Sequence, residues 1–119
     1  MKTSILIADE QMQMRHLLGA VFTQQGYEVK TAQNGKEALE TIYDNQLDII
    51  VLNHTMPVIN GIQLINWLTD NDINTPIVII GSVQEATEQK TKRFPAVKSV
   101  LNRPFQVQEL ANAVKSVIQ

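Results

Sequence analysis

The chain has 119 residues, with 12 acidic and 10 basic side chains and no cysteine. That length suits one domain with its own core and is too short for two. The lack of cysteine excludes disulfides, thiolate zinc sites and thiol catalysis, and a net charge of −2 gives no global attraction to nucleic acid or anionic lipid.

Taken in chain order, short apolar runs alternate with stretches of helical spacing. The first run, Ser4–Ala8, stops at the acidic pair Asp9-Glu10, too soon for a signal peptide. Met14, Leu17, Leu18, Val21 and Phe22 then repeat as one face of a helix, and Gly26 supplies a left-handed stop. The next run, Glu28–Ala32 behind Tyr27, alternates polar and apolar residues and so belongs at a sheet edge. Asn34 caps a second helix, with Glu37 placed to complete something close to a capping box and Ala38, Leu39 and Ile42 as its core face. A buried strand at Asp48–Leu52 leads to Asn53, and a third helix follows Gly61 and buries some of Ile62, Ile65 and Leu68. Ile77–Ile80 is another inner strand. A nearly all-polar helix is expected from about 84 to 92, with only Val83 and Ala86 apolar beside it. A fifth strand at Val97–Asn102 precedes the clearest stripe of all, Val107, Leu110, Ala111, Val114, Val117 and Ile118.

Five strands alternating with five helices predict an α/β fold, a doubly wound parallel sheet covered by helices on both faces. In such sheets ligands bind beyond the carboxyl ends of the strands. Those ends carry Asp9-Glu10, Asn53, Gly81-Ser82 and Arg103-Pro104. No segment approaches the roughly 20 apolar residues of a membrane span. The sequon Asn53-His54-Thr55 has no secretion signal before it and is set aside. The expectation is a single cytoplasmic domain over residues 1–119.

With those residues in view, the whole chain resembles a response-regulator receiver domain. The resemblance rests on Asn53 at the end of an apolar strand, Met56-Pro57 three and four residues later and Gly61 eight later. It rests also on the acidic pair Asp9-Glu10, the helix-opening Asn34-to-Leu39 segment, and Arg103-Pro104-Phe105 after the last strand. It implies a flavodoxin-like (βα)5 fold with strand order 2-1-3-4-5, a site for phosphoryl transfer assisted by Mg²⁺, and a cis peptide before Pro104.

This chain departs from the family at four positions. Asn53 stands where the family has its phosphoacceptor aspartate, Gly81 where it has a switch Thr or Ser, Arg103 where it has Lys, and Val100 where it has a switch aromatic. An amide packs like a carboxylate, but its oxygen carries no full charge and its nitrogen lone pair is delocalised, so neither attacks phosphorus usefully. Mg²⁺ prefers hard, charged oxygens. Asp9, Glu10, the Asn53 side-chain oxygen and the Thr55 carbonyl would hold it weakly, as a vestige. Arg103 offers a donor fork suited to bidentate pairing with Asp9 or Glu10, so the expectation is a metal-free pocket locked by that pair. Several departures together favour natural degeneracy over a single engineered substitution.

The reading is therefore a receiver-like module that catalyses nothing and acts by phosphorylation-independent contact with a histidine kinase, a phosphotransfer protein or an output protein. Lys90, Lys92, Arg93 and Lys98 offer a basic partner surface; between 90 and 103 there is no acidic residue. Nucleic acid is not the expected partner, because only Phe94 is interleaved for stacking. One alternative is a working receiver phosphorylated on Thr55, Ser82 or His54. Another is a nucleotide or flavin binder on the same scaffold, although no Gly-rich loop follows the first strand. His54 is read as an exposed loop residue, His16 as a surface residue and Trp67 as packing.

Overall fold

The structure, a computed structural model, describes residues 2–81 and 94–119. The helix expected from about 84 to 92, together with Ser82, Lys90, Lys92 and Arg93, lies outside those residues. Among the described residues the order is β1 (Ser4–Ala8), α1 (Met12–Gln24), β2 (Glu28–Ala32), α2 (Gly35–Asp44) and β3 (Ile49–Asn53). Then follow α3 (Gly61–Asp70), β4 (Ile77–Gly81), β5 (Val97–Asn102) and α4 (Val107–Ile118). The strands form one parallel sheet in the order β2-β1-β3-β4-β5, as the resemblance implied. No helix among the described residues is long and apolar enough to cross a membrane.

Alternation along each strand builds two cores. Leu6, Ile50, Leu52, Ile77 and Ile79 face α2 and α3, where Ala38, Ile42, Leu64, Ile65 and Leu68 meet them. Ile5, Ile7, Ile49, Val51, Val78 and Ile80 face α1 and α4, where Leu18, Phe22, Leu110, Ala111 and Val114 close the other layer. Successive strand residues point to opposite faces, so a continuous Ile/Val/Leu run fills both layers at once. Each fully buried side chain of this kind contributes about 1.5–3 kcal/mol relative to exposure.

Several details differ from the reading of the sequence. Leu17 is 48% exposed, because the inward arc of α1 is narrow and is filled by Leu18 and Phe22. Leu64, which the spacing passed over, is buried in α3. Glu37 does not close a capping box: Asn34 accepts the Glu37 N–H at 2.8 Å, but the Glu37 carboxylate turns to the backbone and side chain of Gln33. The strand ends also move one residue outward, so that Asn53 and Gly81 are themselves the last residues of β3 and β4. Phe94, considered for base stacking, is buried in the core.

Candidate functional site

The site forms where β1, β3, β4 and β5 end. Asp9 is held beside β2 by its N–H, which donates to the Ala32 carbonyl at 3.0 Å. Its side chain is wholly buried. One carboxylate oxygen, Oδ1, accepts the Gln11 N–H at 2.9 Å, and Oδ2 accepts Nη2 of Arg103 at 2.8 Å. A buried carboxylate is stable only when paired and hydrogen-bonded, and these two contacts meet that need.

Arg103 reaches Asp9 from the end of β5, where its own N–H donates to the Gly81 carbonyl at 2.8 Å. The peptide that follows it, before Pro104, is cis. Its side chain is only partly exposed, and its Nε is buried with no acceptor among the described residues. Of the two acids offered to Arg103 by the sequence, the structure selects Asp9. Glu10, the next residue, points outward, is exposed and makes no ion pair among the described residues. The contact is a single hydrogen bond to one oxygen rather than a bidentate fork, and the other oxygen accepts from Gln11.

Asn53 is 1% exposed, and its Oδ1 accepts the Thr55 N–H at 3.1 Å. Gly81 lies directly against it. A Cβ added at Gly81 would stand 3.1 Å from Asn53 Oδ1 and 3.5 Å from the Cβ of His54. Gly81 also has φ +148°, a backbone setting that residues with side chains rarely adopt. Thus Asp9, Arg103, Gly81, Asn53 and Thr55 are linked by successive contacts. Val100 stands apart from them, half-buried against the core layer that covers α2 and α3.

The loop 54–60 frames the mouth. His54, expected as an exposed loop residue, is half-buried instead, because it packs beside the space left open at Gly81 and against the backbone at Gly61. The Gly61 N–H donates to the His54 carbonyl at 3.0 Å, and Asn60 caps α3. Gly35 admits the loop from the α2 side; a Cβ there would collide with the Ile59 carbonyl. At the apex, Val58 is 72% exposed with φ +70°, a strained setting for a β-branched residue. Lys98 is exposed on β5, His16 is on the surface, and Trp67 packs against the core.

Sequence reasoning missed the part played by Arg15. Its Nη1 donates to the carbonyls of Asp9 and Glu10 at 2.9 and 3.0 Å, tying the β1–α1 turn to the first turn of α1. The available signal was an arginine one to two helical turns beyond an acidic pair. A cleft of about 570 Å³ at the opposite end of the sheet, between the end of α1 and α4, contains none of these residues.

Comparison with known proteins agrees with this architecture. The sequence pattern of the response regulator receiver domain matches residues 5–115. Sporulation initiation phosphotransferase F of Bacillus subtilis is 30% identical over 119 residues, covering 99% of this chain and 95% of that protein. The regulatory protein AtoC of Escherichia coli is 29% identical, but the chain spans only 25% of its length. Among solved structures, the receiver domain of the Francisella response regulator 1452 superposes with a TM-score of 0.89 at 29% identity, covering 98% of this chain and 97% of that one. TrrA of Thermotoga maritima, in complex with Mg²⁺-BeF, gives a TM-score of 0.85 at 25% identity, covering 97% and 98%. The fold, the strand-end site and these likenesses converge: the chain belongs to the response regulator receiver domain family of two-component signalling.

Proposed function

We propose that this receiver domain signals by protein–protein contact without taking up a phosphoryl group, as a single unit spanning residues 1–119. The observation that carries the reading is Asn53: a neutral amide, buried at the acceptor position, with its oxygen committed to the Thr55 N–H. Phosphoryl transfer needs an anionic oxygen aimed at phosphorus and cations that neutralise the developing charge. Asn53 supplies no such oxygen. Gly81 supplies no hydroxyl to follow a bound group, and Val100 no aromatic ring to report one.

The cation of the TrrA complex, Mg²⁺, does not fit the residues here. Mg²⁺ binds through charged oxygens in a near-octahedral shell. Asp9 is already paired with the Arg103 guanidinium, Asn53 is neutral, and Glu10 points outward. Among the described residues no cluster of three or more His, Asp or Glu is suited to a metal. On this reading the domain turns over no substrate. Its partners are a histidine kinase, a phosphotransfer protein or an output protein of the cytoplasm, met in part through the exposed Lys98.

Intact-mass measurement after incubation with acetyl phosphate and Mg²⁺ tests the reading. The expected result is an unchanged mass. A stable gain of one phosphoryl group, on Thr55, Ser82, His54 or elsewhere, overturns it.

A further inference from the structure

We infer that the Arg103 guanidinium is the site's resident cation and that it, as much as Asn53, keeps a divalent metal out. The inference deepens the proposed function and rests on it only in taking the strand-end pocket as the receiver site.

The charge that turns into the pocket is already balanced: the Asp9 carboxylate is paired with the Arg103 guanidinium, and Arg15 ties down the two backbone carbonyls of the turn beside it. A metal arriving at the Asp9 carboxylate would face the Arg103 guanidinium. It would also have to strip a charge-assisted hydrogen bond of 2.8 Å from a fully buried carboxylate. Displacement would leave Arg103 stranded, because its Nε is already buried without an acceptor among the described residues. The bond from the Arg103 N–H to the Gly81 carbonyl fixes the point at the end of β4 from which its side chain reaches Asp9. The guanidinium does at Asp9 what a metal would do: it neutralises the acid and holds it in place.

One consequence separates this from the simpler view that only the missing aspartate matters. Restoring Asn53→Asp adds a charged ligand but leaves Asp9 occupied. Metal then binds only the fraction of molecules in which the pair is open, so its apparent affinity falls by that fraction.

Titration with Mg²⁺ alone, by calorimetry and by amide NMR shifts, would compare the wild type, Asn53→Asp, the double variant Asn53→Asp/Arg103→Lys, and Asn53→Asp/Arg103→Gln. Circular dichroism would check folding in each. Lysine keeps a positive charge beside Asp9 and is the variant chosen to preserve the fold; glutamine removes the charge outright. At least one double variant is expected to bind Mg²⁺ about 10- to 100-fold more tightly than Asn53→Asp alone, the penalty of opening one charge-assisted pair. If Asn53→Asp alone binds as tightly as both double variants, or if the wild type binds at micromolar affinity, the inference is overturned. Mass gain by the wild type in acetyl phosphate would count against the proposed function without bearing on this comparison.

Discussion

At the scale of single residues, the site is defined by what Asn53 and Gly81 do to each other. On the proposed reading, Asn53 stands at the acceptor position with the shape of a carboxylate and without its charge. Gly81 goes further, because its backbone has taken a conformation open to glycine and the space its side chain would need is bordered by the Asn53 oxygen. A side chain placed there therefore meets both an unfavourable backbone setting and a close neighbour. Gly81→Thr is expected to destabilise the fold by about 1–3 kcal/mol, the usual cost of an unfavourable backbone setting, read as a lower midpoint in urea unfolding. A neutral result would show that β4 can end in an ordinary extended conformation and that the switch position is still available.

At the scale of elements, the loop between β3 and α3 is fixed by its exit. Asn60 Oδ1 accepts the Gln63 N–H and Gln63 Oε1 accepts the Asn60 N–H, both at 2.9 Å, a complete capping box. The start of α1 has no such device, because the Gln11 side chain makes no cap and its N–H is spent on Asp9. Asn60→Ala should therefore cost about 1 kcal/mol, measured by equilibrium denaturation. It should also loosen the turn that presents Thr55 to Asn53, visible as faster amide exchange at Thr55. Exchange unchanged despite the lost cap would mean that the contact of Gly35 with Ile59 holds the loop by itself.

At the scale of the whole molecule, the two core layers hold the sheet from both sides. Tyr27 closes the layer beneath α1, its ring edge-on to Phe22 at 5.3 Å between centroids. Burial raises the Tyr27 phenol above its ordinary value of 10.0. The folded state therefore keeps its proton at pH values where the unfolded chain has lost it. The resulting stability is fully present below about pH 10 and is lost as pH rises through the folded value. Tyr27→Phe should make stability fall less steeply across that alkaline window, compared with the wild type by thermal unfolding at stepped pH. Identical slopes would show that the phenol is as well solvated in the folded chain as in the unfolded one.

The sequence by itself determined the periodic features. Inner strands such as Ile49–Leu52 carry apolar residues at every position, so their burial on both faces follows from composition alone. The Gly26 turn and the Asn34 cap are local chemistry, and the structure has φ +96° at Gly26 and the cap bond at Asn34. The neutral amide at the end of β3 was also legible, because it depends only on residue identity and spacing. What tertiary structure decided are the pairings between distant elements. Arg103 could have met either acid of the pair; Asp9 takes it because its side chain turns into the pocket while Glu10 turns to solvent. Likewise, nothing local to Gly81 or Leu17 says that the first lies against Asn53 or that the second is left outside the core. Spacing fixes the face on which a side chain stands, but its partner is set by strands that are far apart in the chain and adjacent in the sheet.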